Sequence, residues 1–186
     1  MSATSAPFGF IPAKSADEPA RPYPIAPGYA TQIFKNQVVV LDTAGVIQAA
    51  AAATDILGVF VGVEYIDADG RPQTRNNWPA GGVAGATNVL AYVIDDPEQE
   101  YLVQADGPVA QTAIGAQADI TNPNAGSTFL GLSQATLASA VVAAAAQGQF
   151  RILDIENAVD NAPGDAFTRV RVKIARHQYV ANKVAI

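Results

Sequence analysis

Proton or metal chemistry in this chain rests on one histidine, His177, and seventeen carboxylates, because cysteine is absent altogether. Without cysteine there is no disulfide, thiolate zinc site, iron–sulfur cluster or thiol nucleophile, and one histidine makes neither a histidine metal cluster nor a relay. Six of the carboxylates fall into two close-spaced groups. Asp67-Ala68-Asp69-Gly70 opens like a calcium loop, since paired carboxylates before a turn glycine suit a hard cation. The twelve-residue pattern then fails: it puts Arg71 at a ligand position and Trp78 where the bidentate glutamate belongs. A turn closed by Asx side-chain bonds is the better reading. In the second group, Asp95, Asp96, Glu98 and Glu100, neighbouring strand positions face opposite ways, so Asp95 and Asp96 do not converge, and a solvated turn is expected.

The remaining motifs fail on their spacing. Gly81, Gly82 and Gly85 precede neither Lys-Ser, Lys-Thr nor a helical segment, so no phosphate loop is indicated. Ser127, Ser133 and Ser139 stand in no Gly-x-Ser-x-Gly elbow. Trp78, in NNWPAGG, has the ring to stack a sugar or a base, but a tryptophan before a proline in a loop also caps cores and subunit interfaces. The expectation is a non-enzymatic protein with no cofactor and no metal.

The elements that position these residues follow from composition and period. Of 186 residues 49% are hydrophobic and 15% charged, enough apolar material for a core without a covalent staple. From residue 31 short β-type runs alternate with Gly, Asp, Asn and Pro, the spacing of an all-β protein, a β-barrel or a jelly-roll-like β-sandwich. TQIFKNQVVVL ends at Asp42-Thr43-Ala44-Gly45. In ILGVFVGVEYI, Gly58 and Gly62 suggest bulges or close backbone approach. NVLAYVID and YLVQA flank residues 95–98, which read as a hairpin connection longer than two residues. QFRILDI is a further strand. Ala49 to Ala53 and Ala143 to Ala146 are too short for stable helices, leaving one helical turn or a plain loop. In Thr168 to Arg176, Val170, Val172 and Ile174 alternate with Arg169, Arg171 and Lys173, which predicts a half-buried strand with aliphatics inside and cations facing solvent or a partner.

Residues 1–30 are a different polymer, holding six of the twelve prolines interleaved with Phe8, Phe10, Ile11 and Tyr23. That density forbids a helix or a central strand and favours extended chain. The division expected is an arm over residues 1–30, whose apolar anchors lie on its own domain or on a partner, and a β-rich domain over 31–186 able to fold without it. Charge is equally uneven. Residues 42–165 hold fifteen acidic side chains against three basic ones, Arg71, Arg75 and Arg151, whereas residues 166–186 hold five basic and no acidic ones. An acidic body repels phosphate backbones, so nucleic acid is not an expected partner. The basic tail reads as complementing neighbouring strands or subunits, or as meeting an acidic partner. No basic n-region with an apolar h-region opens the chain, and no window of about 18 apolar residues indicates a membrane span.

Taken in order, ILGVFVGVEYIDADGRPQTRNNWPAGG (56–82), AYVIDDPEQEYLVQADG (91–107), FRILDIENAVDNAPGD (150–165) and VKIARHQY (172–179) resemble the cement or decoration proteins of tailed bacteriophage heads. The resemblance spans about residues 28–180 and is carried by the succession of blocks. The alanine-rich insert before Phe150 and the proline-rich arm depart from it. It implies a β-rich subunit, usually trimeric, made in the host bacterial cytoplasm and seated on the outside of the expanded capsid, where it clamps major capsid protein subunits. The partner-contact candidates are Phe8, Phe10, Ile11 and Tyr23 in the arm, Trp78, and the cations Arg169, Arg171 and Lys173. Two other classes share the composition: a carbohydrate- or surface-binding module using Trp78, and a tail or baseplate component.

Overall fold

The computed structural model of the chain describes residues 4–13, 20–26 and 28–181, so that Pro19, Pro27 and Lys183 lie outside the described residues. Its strands are β1 (Ile11–Pro12), β2 (Arg21–Pro24), β3 (Gln37–Leu41), β4 (Ile47–Ala49), β5 (Gly58–Ile66), β6 (Pro72–Arg75), β7 (Thr87–Ile94) and β8 (Glu100–Gln104). After these come β9 (Gln117–Ala118), β10 (Ile120–Thr121), β11 (Gly126–Ser127), β12 (Leu132–Ser133), β13 (Thr136–Leu137), β14 (Phe150–Ile155) and β15 (Arg169–Ile174). The protein is all-β: no α-helix occurs among the described residues, and both alanine runs resolve into strand end, loop and turn.

One sheet runs β1-β8-β15-β14-β9 and the other β2-β7-β5-β3-β4, with β6 added to β5; the pairings in both are antiparallel. Tyr101, Val103, Ile152 and Val172 of the first sheet meet Val38 and Val59 of the second in one core, the centre of a β-sandwich. The second sheet is covered on its other face too. There Val39, Phe60, Val63 and Val93 pack with Ile25, Ile33 and Trp78, which come from irregular chain wrapped over the sheet. Burial on both faces explains why QVVVL in β3 is a continuous apolar run rather than an alternation.

The turns follow from local chemistry that repeats. Asp42 and Asp67 each open a hairpin loop, β3–β4 and β5–β6, and each is followed by glycine at the third position and glutamine at the sixth. Asp67 Oδ1 accepts from the amides of Asp69 at 3.0 Å and Arg71 at 2.9 Å, while Oδ2 takes Gln73 Nε2 at 2.9 Å. Asp42 does the same with Ala44, Val46 and Gln48. Gly45 and Gly70 sit at φ +76° and +78°, which side chains other than glycine adopt at a cost. Gly58 meets the close-approach expectation, because a Cβ there would lie 2.1 Å from the Ile94 carbonyl oxygen. The register of β5 against β7 slips between Phe60 and Gly62, the bulge expected there.

Two expectations are corrected. Residues 95–98 do not close a hairpin: β7 belongs to one sheet and β8 to the other, so the segment crosses between layers. The arm, for its part, is not an appendage. β1 and β2 form edge strands of opposite sheets, where proline's missing N–H is tolerated. Phe10 is fully buried and stacks on Phe150 with ring centroids 4.5 Å apart. A buried aromatic of that size belongs to the core that the arm completes.

Irregular segments packed against the sheets leave backbone groups without ladder partners, and glutamine side chains supply them. Fully buried Gln149 accepts from Ile120 N at 3.0 Å through Oε1 and donates through Nε2 to the carbonyls of Ala51 at 3.0 Å and Thr54 at 2.9 Å. Gln37 ties Phe34 N to Pro123 O, and Gln104 ties Ala6 N and Thr4 O onto β8.

Two stability outcomes follow. Phe10→Ala should cost about 3–5 kcal/mol in chemical denaturation, and a chain starting at Gly28 should lose its cooperative transition; a truncated chain melting like the full one would show the arm to be dispensable. Gln149→Leu strands the Ile120 amide and the Thr54 carbonyl, each costing about 1–3 kcal/mol, while Ala51 O keeps the Thr54 hydroxyl, so it should destabilise far more than its change of volume predicts.

Candidate functional site

The site is built on β15, the central strand of the first sheet. Val170, Val172 and Ile174 are buried, and Arg169, Arg171 and Lys173 project from the opposite face, as the alternation requires. Register fixes their neighbours. Arg171 lies between Leu102 of β8 and Asp154 of β14, and Ile11 of β1 sits beyond Leu102 in the same row. Lys173 lies between Glu100 and Arg151. The fold therefore brings Ile11 of the arm, 37% exposed, onto the same face as the cations. Sequence distance had hidden that juxtaposition.

Most of the tail's charge is neutralised within the chain. Arg169 Nε lies 2.7 Å from Glu156 and its Nη2 2.5 Å from Asp160, and this bond holds the Asp160 carboxyl below the ordinary 3.8. Lys173 pairs with Glu98, and Arg176 reaches Asp55 at 2.7 Å. This is complementarity with neighbouring segments of its own chain. Arg171 is exposed and makes no ion pair among the described residues. Beside it a recess of about 510 Å³ opens, lined by Glu98, Arg151, Leu153, Lys173, His177 and Val180. Its polar groups are already engaged, Arg151 Nη1 donating to Gly115 O at 2.8 Å and Lys173 pairing with Glu98. The recess offers aliphatic walls and paired charges, suited to a side chain of a docking partner.

At the rim of this recess His177 joins the C-terminal segment to the crossing between the sheets. Asp95 is 4% exposed, so the solvated turn expected there is wrong for this residue. Its carboxylate accepts from the Tyr23 hydroxyl at 2.5 Å and pairs with Arg21 at 3.4 Å. Burial, then the hydrogen bond to Asp95, raises the Tyr23 phenol well above its ordinary 10.0, so it stays a donor. His177 Nδ1 accepts from the Tyr179 amide at 3.1 Å and Nε2 faces the Asp95 carbonyl at 3.1 Å. Those two partners together require the neutral ring with its hydrogen on Nε2. Both nitrogens are then occupied, and the imidazole acts as a latch.

The other candidates resolve as follows. Phe8 is half-buried. Phe10 and Trp78 are interior; Trp78 is 3% exposed, and its Nε1 donates to Tyr29 O at 2.9 Å. Phe10 lies in the core between the sheets, and Trp78 lies under the proline- and glycine-rich chain that covers the second sheet. Tyr23 is committed to Asp95. The Asp67 turn spends both carboxylate oxygens on N–H donors, the Arg71 amide foremost, which holds its pKa below 3.8. No group of three or more His, Asp or Glu side chains able to hold a metal occurs among the described residues, nor any helix long and apolar enough to cross a membrane. Sequence reasoning passed over Phe129 and Leu130, exposed at the β11–β12 tip. Their signal was an aromatic–aliphatic pair set between turn residues in a charge-free stretch.

Set against models of protein families, curated proteins and solved structures, the chain matches none.

The latch predicts a pH dependence. Burial lowers the His177 pKa from 6.5, so the unfolded chain takes up a proton before the folded one does. The stability contributed by neutral His177 is complete above about pH 6.5 and is lost as pH falls from there through the depressed folded value. Asp67 and Asp160, with pKa values below 3.8, lose theirs only at lower pH. The melting temperature should decline from pH 7.5 to 5, and His177→Gln should flatten that decline; parallel curves for the two proteins would remove the latch.

Proposed function

We propose that the chain is a virion structural protein that binds the outside of a tailed-phage head as a trimer and cements neighbouring major capsid protein subunits, stabilising the expanded capsid. The observation that carries this reading is the row Ile11, Leu102 and Arg171 across the outer face of a rigid sheet, with the recess beside it. An exposed Ile11 and a half-buried Leu102 next to a cation without an ion pair among the described residues make a broad, shallow footprint of the kind that meets another protein surface. Three such footprints on one oligomer hold by avidity where a single one is weak. The order of sequence blocks supports the same class. The acidic body, net charge −6, argues for a protein partner rather than nucleic acid. No small-molecule cofactor and no membrane enter the reading. Its place is the outer capsid surface, reached after synthesis in the host cytoplasm.

The test uses expanded heads prepared without this protein. Added chain should co-sediment with them and raise the temperature at which they rupture. Arg171→Ala should leave the isolated protein's stability within about 0.5 kcal/mol of the parent, since it frees no buried partner. It should weaken head binding, and the difference should shrink as salt is raised. Full-length protein that ignores heads but co-purifies with tails would reassign it to the tail.

A further inference from the structure

The β11–β12 hairpin ends in Thr128-Phe129-Leu130-Gly131, with Phe129 94% and Leu130 55% exposed. The tip is held from several sides. Leu130 N donates to Ser127 Oγ at 3.2 Å, Gly131 N to Ser127 O at 2.7 Å and Asn76 Nδ2 to Leu130 O at 3.1 Å. Lys35 N donates to Gly131 O at 2.9 Å. Gly131 sits at φ +69°, where a Cβ would lie 2.7 Å from Asn76 Oδ1. The pair is thus a preorganised apolar knob, which lowers the ordering cost of docking. Two residues on from Asn76, Trp78 floors a hollow of about 290 Å³ walled by Ala26, Gly28, Val83, Ala86 and Val89. Its Nε1 bond to Tyr29 O fixes that floor. Knob and hollow share the 76–78 segment, and the exposure of Phe129 shows that it does not fill the hollow of its own chain.

What selects the occupant is charge. Two copies of a chain with net charge −6 repel, unless they meet through surfaces free of carboxylates. Residues 76–94, which build most of the hollow, and residues 120–150, which build the knob, contain no charged side chain. We infer that the partner of this hollow is a second copy of the chain: Phe129 and Leu130 of one copy enter the Trp78-floored hollow of the next. Arranged head-to-tail and closed into a ring, this contact builds the trimer proposed above. The inference rests on the oligomeric part of the function proposed above and supplies its contact.

Sedimentation velocity of the full chain tests it. The parent should sediment as a closed oligomer. Phe129→Ser, at an exposed tip, and Ala84→Trp, which fills the hollow, should each raise the concentration needed for assembly by about 30-fold or more, the effect of losing a buried aromatic anchor. Both should keep a cooperative melt. Mixed together, the two variants retain one intact knob and one intact hollow per pair, so they should form a 1:1 dimer and nothing larger. A parent that stays monomeric at high concentration overturns the inference, as does assembly untouched by either variant or a mixture that fails to pair. A monomeric parent whose head binding is lost in Phe129→Ser would assign the knob to the capsid instead. Head binding that fails while the oligomer and its variants behave as described would count against the proposed function and leave this contact standing.

Discussion

Satisfaction of buried backbone groups by glutamine carboxamides is the interaction on which the rest of this structure depends. Two sheets supply ladders for their own strands, but much of the chain packed between and over them is irregular, and every amide and carbonyl it buries needs a partner. A carboxamide offers donors and an acceptor at the end of a flexible stem. Gln149 uses both to join the segments around Ile120, Ala51 and Thr54, while Gln178 accepts from Leu41 N and donates to Leu41 O, mimicking a strand. A charged side chain in these places would have carried a desolvation penalty that a neutral amide avoids.

The same economy of charge shapes the ends of the molecule. The arm enters through Phe10, stacked on Phe150, and through Tyr23, whose hydroxyl is held by Asp95. The C-terminal segment enters through His177, which meets the carbonyl of that same Asp95. One buried acid at the crossing between the sheets therefore anchors both ends, and its position explains why the crossing is ordered although it forms no hairpin. With the ends fixed, β1 completes the sheet face that carries Arg171, so the row of Ile11, Leu102 and Arg171 exists only because the arm is part of the fold.

Neutralisation within the chain also decides what is left to face a partner. Arg169, Lys173 and Arg176 are matched to Glu156, Asp160, Glu98 and Asp55, so a tail that is basic on paper presents little net charge. What stays distinctive is the exposed Arg171 guanidinium beside two aliphatic side chains, together with a knob and a hollow built from stretches free of carboxylates. The two lie on different parts of the sandwich.

The sequence by itself determined the elements whose cause is local. Period two over residues 169–174 fixed which side chains of β15 go inside, because adjacent side chains of a strand cannot share a face. Asp67 and Gly70 fixed their turn, because the carboxylate and the left-handed glycine close it without help from the rest of the chain. The all-β class and the bulge near Gly62 were legible for the same reason. Tertiary structure alone decided what depends on residues far apart in sequence: that Phe10 belongs to the core, that Asp95 is buried, that Trp78 lies under a wrapped segment, and that Ile11 shares a row with Arg171. A glutamine looks the same in sequence whether it is solvated or stapling two loops, and an aromatic in a proline-rich arm looks the same whether its partner ring is Phe150 or another molecule. Only the fold brings the partner to it.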